Sequence, residues 1–418
     1  MKGAQCMSNY TNRPTNEQAE KLLNKYFPVL DHGFVSLIDY SGTDQCIERA
    51  ARVSYGGGTR KTSATRGLLR YLKRHKHCYA PEMEVLTVEG WKRWEDCDNE
   101  ESFLVPDPTN KTLKIETLPL EVFTVEDETM FKYDNTRMSY TVTHNHRMWF
   151  KKKFQGTEGN AEFEIVKVQD MSPWGHFDSS HGYKKHNPNG DKDVEFQFIG
   201  FYLGDGSYTS TNRISFHLKK ERKKEYLEFL LEKLNIAYHK TQSSTCEDAF
   251  VYWVETPDFL RNVLGSKLSV RSKDKEFSLN QVRYLSDSQL RGLFDGLVNS
   301  DGSIKADRNQ ICFHSVSKKL KDLFELCSAL LGYDSHSYID NRTNCYLDAP
   351  NLESRKQYHS TYTYTGKVFC TTTSTGLLIV RGGPDKFGFV CGNSTPFEMV
   401  ELKFHCCMPI FVARQWIR

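Results

Sequence analysis

The 418-residue sequence lacks a long apolar run, a Cys-x-x-Cys pair and a large excess of charge of one sign. A membrane-spanning helix needs about 18 apolar residues in succession, and the start of the chain has no apolar signal segment, so we expect a soluble, cytoplasmic protein with no membrane partner. The 12 cysteines include no Cys-x-x-Cys pair, which excludes the usual zinc frameworks and predicts free thiols. With 56 Lys and Arg against 53 Asp and Glu, the net charge is only +3, so nucleic-acid affinity requires a local basic patch.

The sequence does contain enough apolar material for several domains. It is 38% hydrophobic and 13% aromatic, and its length predicts two to four domains at roughly 100–200 residues each. Residues 1–77 and 394–418 mix strand and helix patterns, whereas 78–193 carries short strand patterns and then a polar stretch. Residues 194–335 are rich in helical patterns, and 336–393 returns to strands. This order predicts one domain nested inside another.

Two stretches of the central segment nearly repeat each other, FIGFYLGDG at 198–206 and FDGLVNSDG at 294–302. Their small residues, four positions apart in each helical pattern, are Gly200, Gly204, Gly296 and Ser300. Positions i and i+4 share a helix face, so we predict two helices whose backbones pack closely. Each helix would end at an Asp-Gly pair, which brings Asp205 and Asp301 together. The alternative is two unrelated turns at helix ends.

Two adjacent carboxylates favour a divalent cation. Asp205 and Asp301 are therefore candidate ligands of Mg²⁺ and, with Lys275, candidate catalytic residues for cleavage of a phosphodiester. Basic residues of the same segment would contact phosphate, and they are Lys219, Lys220, Arg222, Lys223, Lys224 and Lys275. Taken alone, the run 219–224 is more often a solvated helix face, and its place beside the near-repeat favours the functional interpretation.

The nested segments resemble three protein families. Residues 194–335 resemble the double-motif LAGLIDADG homing endonucleases found inside inteins, and residues 78–193 with 336–393 resemble the self-splicing half of an intein. The outer segments, 1–77 and 394–418, resemble a flavin-dependent thymidylate synthase through FVSLIDYSG, AARVSYGGGT, LLRYLKRHKH, STPFEMVELKFH and PIFVARQWIR, which occur in family order. The resemblance implies a multidomain α+β protein. It would have an all-β, horseshoe-like Hint-type splicing domain, an inserted α/β endonuclease with a saddle of antiparallel strands, and pieces of an α+β synthase.

The two junctions carry the residue types that protein splicing needs. Cys78 is a nucleophile for the carbonyl carbon before it, because a thiolate is strongly nucleophilic and a thioester is a reactive acyl donor. The stretch THNH, from Thr143 to His146, matches the TxxH block of inteins, which implies acid–base catalysis by His146 and positioning by Thr143. At the other junction, Asn393 would cyclise and release the C-terminal segment, and Ser394 would accept the acyl group.

Two positions depart from the usual intein pattern. Gly392 stands where the family usually has His. Cys370, within KVFCTTTSTGLLIV, stands where many inteins have Asp, although a Cys variant exists; its thiol would hold a transient charge or relay the acyl group. Without the penultimate His, cyclisation of Asn393 needs another assistant. Slow splicing, or cleavage at the N-terminal junction without ligation, therefore stays open as an alternative.

The outer segments imply the chemistry of a host enzyme by resemblance alone. Flavin-dependent thymidylate synthases convert dUMP to dTMP with methylenetetrahydrofolate, FAD and NADPH, and the family resemblance implies a homotetramer. It places His77, Thr395 and Arg418 near FAD. It assigns substrate binding to Gln415, Trp416, Ile417 and Arg418. The alternative for FVARQWIR is an ordinary amphipathic helix. Because the family signature begins at Arg418 and continues, we expect the chain to be a fragment with an incomplete synthase site.

Two functions compete on this basis. The first is an intein-interrupted synthase precursor that excises its intein and carries a site-specific endonuclease for double-stranded DNA at the insertion site. The second is a Mg²⁺-dependent DNA endonuclease with a degenerate or cleavage-only autoprocessing domain. The pair Asn393 and Ser394 favours the first function, since cleavage alone needs neither. In both cases strands in the major groove would read the DNA.

Overall fold

The computed structural model describes residues 21–29, 33–41, 78–153, 162–210, 212–244, 246–338, 340–393 and 401–407. The chain divides into two compact units, one of Met1–Lys76 with Thr395–Arg418 and one of His77–Ser394. Among the described residues, no helix combines the length and apolar character that crossing a bilayer requires.

Within the described ranges, strands occur from Tyr26 to Cys407, and the long helices lie in the central segment. The strands are β1 (Tyr26–Val29), β2 (Gly33–Ser41), β3 (Glu84–Thr87), β4 (Gly90–Arg93), β5 (Glu100–Asp107), β6 (Thr112–Pro119), β7 (Glu121–Asp134), β8 (Ser139–Thr143), β9 (Arg147–Lys152), β10 (Glu164–Lys167), β11 (Gly175–Phe177), β12 (Gly206–Ser210), β13 (Arg213–Leu218), β14 (Tyr238–Gln242), β15 (Phe250–Glu255), β16 (Gly302–Lys305), β17 (Gln310–His314), β18 (Asp334–Ser337), β19 (Arg342–Tyr346), β20 (Glu353–Ser354), β21 (His359–Cys370), β22 (Leu377–Arg381), β23 (Phe389–Gly392) and β24 (Glu401–Cys407). The helices are α1 (Val194–Asp205), α2 (Glu221–Lys233), α3 (Asp258–Leu264), α4 (Leu279–Val282), α5 (Asp287–Asp301) and α6 (Lys318–Leu330).

The first unit contains an antiparallel sheet with the strand order β1-β2-β24. The strand β2 covers GFVSLIDYS, where the sequence predicts a strand. Its neighbour β24 comes from the last segment of the chain, with Phe34 opposite Cys407 and Ser41 opposite Glu401. Strands from the two outer segments therefore share one sheet, as an interrupted domain requires.

In the second unit, strands that precede the central segment pair with strands that follow it. β7 pairs with β21, from His359 opposite Tyr133 to Cys370 opposite Glu121, and β3 pairs with β22. The sheets have the orders β21-β7-β8, β10-β9-β11-β20 and β23-β22-β3-β5-β6, with β4 beside β3. The two flanking stretches thus form one strand-rich body, and the central segment is an insertion into it.

The central segment consists of two halves with the same design. Each half has a helix, a β-hairpin, a second helix and a second hairpin, and the sheet orders are β12-β13-β15-β14 and β16-β17-β19-β18. The second sheet includes β19, which pairs with β17, and β18, which pairs with β19. This sheet ends at Tyr346 and therefore extends past the boundary predicted at residue 335.

The helices α1 and α5 pack with their backbones almost in contact. A Cβ on Gly200 would lie 3.0 Å from Gly296 Cα, and a Cβ on Gly296 would lie 2.8 Å from Phe201 N, closer than side chains tolerate. The Asp193 side chain caps α1 by accepting the Phe196 N–H, and a capping box at Ser286 begins α5. The predicted close packing of two small-residue faces is confirmed.

A buried arginine joins the second half to the strand-rich body. Arg381 in β22 donates to Glu84 of β3 at 2.5 Å and lies 3.1 Å from Glu325 of α6. Its guanidinium also lies over the Trp91 ring, 4.4 Å from the centroid. Because Arg381 and Glu325 are buried and Glu84 is only partly exposed, the three charges depend on one another for their solvation.

Candidate functional sites

Cys78 lies in the interior of the strand-rich body, in a stretch that bridges β8 and β21. Its N–H donates to Thr143 Oγ1 at 3.0 Å, and its carbonyl accepts the Thr143 N–H at 3.0 Å. The next residue, Tyr79, exchanges two backbone hydrogen bonds with Phe369, of 2.8 and 3.0 Å. Thr143 therefore holds the main chain on both sides of the Cys78 Cα, which is the geometry that a positioning residue needs.

His146 follows β8 in a tight turn and is fully buried. Its N–H donates to the Thr143 carbonyl at 2.9 Å, so the turn ties the predicted acid–base residue to the predicted positioning residue. The ring lies edge-on to the Tyr79 ring, with centroids 4.4 Å apart. Its Nε2 is 3.4 Å from the Cys391 Sγ.

Asn393, just after β23, is also fully buried. Its Nδ2 donates to the Thr371 carbonyl at 2.9 Å and to Thr373 Oγ1 at 3.2 Å. Its backbone N–H donates to the Gly376 carbonyl at 3.0 Å. Its Oδ1 accepts no hydrogen bond from the part of the chain that the structure describes. The loop after β21 thus orients the amide nitrogen of Asn393.

Gly392 has no room for a side chain. A Cβ there would lie 2.9 Å from the Arg147 carbonyl carbon and 2.9 Å from the Arg147 Cβ. A histidine, the residue usual at this position in inteins, would need the backbone of β9 to move. Close packing against Arg147 therefore favours glycine at this position.

Cys370, at the end of β21, is buried immediately before the loop that holds Asn393. Its Sγ lies 3.5 Å from the Thr371 carbonyl, the same oxygen that accepts the Asn393 Nδ2–H. Backbone bonds between Tyr79 and Phe369 connect this strand to Cys78. The structure thus brings five predicted residues into one body, namely Cys78, Thr143, His146, Cys370 and Asn393.

Two residues that lie beside these five, Tyr79 and Cys391, were not predicted from the sequence. Burial raises the pKa of Tyr79 well above its usual value, and it raises the pKa of Cys391 to about 12, so both groups are neutral at physiological pH. The only signal in the sequence is their position, directly after the predicted nucleophile and two residues before the terminal asparagine.

The second site lies where α1 and α5 end. Lys223 of α2 donates to both carboxylate oxygens of Asp205, at 2.7 and 2.6 Å, and lies 3.8 Å from Asp301 Oδ1. Burial and the neighbouring Asp205 raise the pKa of Asp301, against the opposing effects of Lys223 and Lys275. The predicted juxtaposition of Asp205 and Asp301 is confirmed.

Lys275 does not take the predicted position for a phosphate contact. Its buried ammonium donates to the carbonyls of Tyr202 at 3.0 Å, Gly204 at 3.3 Å and Gly206, which closes the C-terminal end of α1. Burial lowers the pKa of Lys275 to about 8, although Asp301 and Asp205 act in the opposite direction. Lys275 therefore binds the C-terminal end of α1, where carbonyls that lack intrahelical partners favour a cation.

The basic residues after β13 have different partners and different exposure. Arg222 donates to the carbonyls of Asn299 at 2.9 Å and Gly302 at 2.7 Å, so it closes the end of α5 as Lys275 closes the end of α1. Lys224 is buried and pairs with Glu221, and Lys219 is exposed. Only part of this run is therefore a solvated helix face.

The described residues hold no cluster of three His, Cys, Asp or Glu side chains that could bind a metal ion. Asp205 and Asp301 supply two carboxylates at the second site. Two adjacent carboxylates, one with a raised pKa, suit a hard divalent cation that would complete its shell with water or phosphate oxygens.

The first sheet of the central segment carries a concavity of about 750 Å³. Polar and aromatic side chains line it, including Thr209, Arg213, Tyr238, His239 and Trp253. These side chains offer both hydrogen-bond groups and stacking surfaces. The concave surface of the sheet can therefore contact a polar ligand.

No family model matches the chain. A flavin-dependent thymidylate synthase of Gluconobacter oxydans (strain 621H) is 53% identical over 73 residues, which are 18% of this chain and 24% of that protein. The enzyme of Rickettsia prowazekii (strain Madrid E) is 38% identical over 123 residues, covering 25% of this chain and 42% of that protein. Parts of this chain are homologous to flavin-dependent thymidylate synthases. The chain spans less than half the length of these curated relatives.

The residues that the synthase resemblance singles out lie outside the described part of the chain. They are His77, Thr395, Gln415, Trp416, Ile417 and Arg418, and the predicted acyl acceptor Ser394 is outside it as well.

The solved structures that are similar to parts of this chain include the following three. The N-terminal LAGLIDADG domain of DUF199/WhiA covers 37% of this chain and 74% of its own, at 13% identity and a TM-score of 0.26. I-DmoI in complex with DNA and Mn covers 38% and 88%, at 14% identity and a TM-score of 0.26. An AceL NrdHF class 3 split intein covers 77% and 100%, at 7% identity and a TM-score of 0.29. Scores this low leave the function of this chain to be argued from its own residues.

Proposed function

We propose that residues 78–393 are an intein that excises itself from a flavin-dependent thymidylate synthase precursor and carries a DNA endonuclease. The observation that carries the proposal is the joint placement of Cys78 and Asn393 in one buried strand system. Thr143 holds the main chain of Cys78 at 3.0 Å, and the loop after β21 orients the Asn393 amide nitrogen at 2.9 Å. The buried Asn393 Oδ1 accepts no hydrogen bond from any residue that the structure describes. Such an arrangement costs free energy, and a role of this side chain in cyclisation would account for that cost.

In the first step, the Cys78 Sγ attacks the carbonyl carbon of residue 77. The carbon–nitrogen bond between residues 77 and 78 breaks, the nitrogen gains a proton and becomes an amine, and a thioester forms. Thr143 holds this nitrogen through its Oγ1. His146, whose backbone N–H donates a 2.9 Å hydrogen bond to the Thr143 carbonyl, is the group that transfers the proton to this nitrogen.

Two acyl transfers and one cyclisation complete the reaction. The Ser394 hydroxyl attacks the thioester, which releases the Cys78 thiol and forms an ester. The Nδ2 of Asn393 then attacks its own carbonyl carbon, its bond to the Ser394 nitrogen breaks, and that nitrogen gains a proton. Finally the Ser394 amine attacks the ester carbonyl and leaves a peptide bond between residues 77 and 394. No oxidant or reductant is consumed.

Mass spectrometry of the incubated full chain tests the proposal. We expect a fragment spanning residues 78–393 and a joined product of 1–77 with 394–418. Cys78→Ala should abolish both while leaving release of 394–418 by Asn393. Asn393→Ala should leave a thioester that hydroxylamine cleaves. Fragments without the joined product would favour the cleavage-only alternative. The same pattern in wild type and Cys78→Ala would refute splicing.

We also propose that the central segment cuts double-stranded DNA and that Asp205 and Asp301 bind Mg²⁺. The support is the adjacency of the two carboxylates, which Lys223 bridges, and the raised pKa of Asp301 beside Asp205. A bound cation there would stabilise charge on the phosphodiester oxygens during cleavage. The antiparallel sheets, which follow α1 and α5 directly, would contact the DNA strands.

Cleavage of supercoiled DNA that carries the uninterrupted synthase gene tests this function. Asp205→Asn and Asp301→Asn should each lower the cleavage rate by about a hundredfold or more. Asp248→Asn is the matched control, because this aspartate is 78% exposed and lies in the same half of the segment. Cleavage by the Asp205→Asn/Asp301→Asn double variant at the wild-type rate would refute the assignment.

The host activity is proposed from homology over parts of the chain. The joined outer segments would belong to a homotetrameric enzyme that methylates dUMP with methylenetetrahydrofolate, FAD and NADPH. We expect dUMP-dependent NADPH oxidation only after splicing, in a chain that also carries the remaining length of its relatives. Equal activity of spliced protein and Cys78→Ala precursor would refute this coupling.

A further inference from the structure

Tyr79 directly follows the proposed nucleophile, and its side chain contacts the opposite junction. Its hydroxyl donates to the Gly392 carbonyl at 2.5 Å, across 313 positions of the sequence. Its backbone is fixed on both sides by Phe369, at 2.8 and 3.0 Å. One buried side chain therefore joins the first residues of the proposed intein to the last.

The ring of Tyr79 has little freedom to move. It stacks on Trp94 with centroids 5.1 Å apart and an interplanar angle of 14°, and it meets the His146 ring edge-on. Burial raises its pKa well above the usual value, so the hydroxyl stays protonated and donates throughout the physiological range. The hydroxyl is thus a fixed donor aimed at Gly392.

The peptide between Gly392 and Asn393 is held from two sides. Tyr79 binds its carbonyl, and Gly376 accepts its N–H at 3.0 Å. The orientation of this peptide sets the direction of the Asn393 side chain and of the Asn393 carbonyl relative to each other. Cyclisation requires Nδ2 to reach that carbonyl carbon in a near-attack geometry, so a fixed peptide raises the rate.

We infer that Tyr79 is a positioning residue for cyclisation of Asn393. The inference rests on the proposed splicing function and supplies the assistance that Gly392, with no side chain, does not give. The hydroxyl acts on the C-terminal junction alone, because the main chain of Cys78 is held by Thr143 and not by the Tyr79 hydroxyl. Thioester formation at Cys78 therefore does not depend on it.

Tyr79→Phe in the full chain tests the inference, because this change removes the hydroxyl and keeps the stacked ring. Release of residues 394–418 is measured in a Cys78→Ala background, and hydroxylamine cleavage after residue 77 in an Asn393→Ala background. We expect the first rate to fall about tenfold and the second to stay within about twofold. Tyr140→Phe is the matched control, because Tyr140 is equally buried and its hydroxyl has no hydrogen-bond partner among the residues placed in the structure.

The ratio of the two rates separates positioning from a general loss of structure. An unchanged C-terminal rate, or an equal fall of both rates, would overturn the inference, as would the same effect from Tyr140→Phe. If the parent variants cleave at neither junction, the proposed splicing function fails and the inference fails with it. A selective fall at the C-terminal junction, with an unchanged melting temperature, would establish it.

Discussion

The two halves of the central segment share one order of helices and strands, yet their terminal carboxylates differ in surroundings. Asp205 accepts two bonds from Lys223, whereas Asp301 lies 3.8 Å from the same ammonium and has a raised pKa. Lys223 is the third residue of α2, and the third residue of α6 is Leu320, which is buried. The repeated order of helices and strands thus determines where the two carboxylates lie. Lys223, which has no equivalent in the second half, makes their electrostatic surroundings different.

A second pair of residues at equivalent positions in the two halves also differs in its surroundings. The eighth residue of α2 is Glu228 and the eighth residue of α6 is Glu325. Hydrogen bonds from Lys240 and Tyr252 lower the pKa of Glu228, whereas burial raises the pKa of Glu325 despite the opposing effect of Arg381. The second half docks on the strand-rich body at this point, so an equivalent glutamate becomes an interior one.

Arg381→Met should produce the largest effect, because it removes the counter-charge of the buried Glu325 and of the partly exposed Glu84. We expect a loss of about 3–5 kcal/mol in the free energy of unfolding, measured by urea denaturation. Lys240→Met, which removes the partner of the more exposed Glu228, should cost at most about 1 kcal/mol. Equal losses in the two variants would contradict the difference drawn between the halves. Adding Glu325→Gln to Arg381→Met should recover part of the loss.

The close packing of α1 against α5, where the two halves meet, is the subject of the second prediction. A Cβ on Gly204 would lie 2.5 Å from the Ser300 Cβ, so Gly204→Ala should cost about 2 kcal/mol and Ser300→Gly should rescue it. Gly296→Ala meets the backbone of α1 and should cost about 3 kcal/mol with no such rescue. Melting temperatures of the single and double variants measure both effects. Rescue of Gly296→Ala by Ser300→Gly would contradict the described packing.

Local patterns predicted the parts of the fold that depend on short spacings. Small residues four apart predicted the α1–α5 seam, and the Asp-Gly pairs predicted the meeting of Asp205 and Asp301. These predictions are possible because residues four positions apart in a helix lie on the same face. The pairing of β2 with β24 follows the predicted nesting of segments, which rests on composition along the chain.

Hydrogen bonds between single side chains and distant backbone groups were not predictable from local patterns. Lys275 carries the same charge in either role, and only the fold shows that it closes the end of α1, 73 positions away in the sequence. Tyr79 is an ordinary aromatic residue until β21 and β23 bring Gly392 to its hydroxyl. The extension of the second sheet to Tyr346 likewise depends on strand pairing, which no short pattern encodes.

Lys223→Met tests the charge balance between the two carboxylates. Without this ammonium, Asp205 loses two bonds and the pair of carboxylates repel each other, so we expect a loss of about 1–2 kcal/mol in EDTA. Mg²⁺ should restore the melting temperature of the variant and raise that of wild type less, because Lys223 competes for the same oxygens. Arg213→Met, on the adjacent strand β13, is the control. Equal responses to Mg²⁺ in wild type and Lys223→Met would contradict the assignment of these oxygens as cation ligands.

Asp334 in β18 gives the smallest expected effect and has a definite sign. It is buried, the Ser180 hydroxyl donates to it, and burial raises its pKa to about 7. The fold therefore favours the protonated acid: its contribution to stability is present below the unfolded pKa near 4 and is lost as the pH rises through about 7. In Asp334→Asn this loss cannot occur, so the variant should gain about 1 kcal/mol relative to wild type between pH 6 and pH 7, measured as the difference in unfolding free energy. Asp340→Asn, at an exposed carboxylate whose pKa Arg342 lowers, should show no such gain. The matching strand of the first half, β14, has no acidic residue. The pH dependence should therefore belong to Asp334 alone, and its persistence in Asp334→Asn would show that another group titrates.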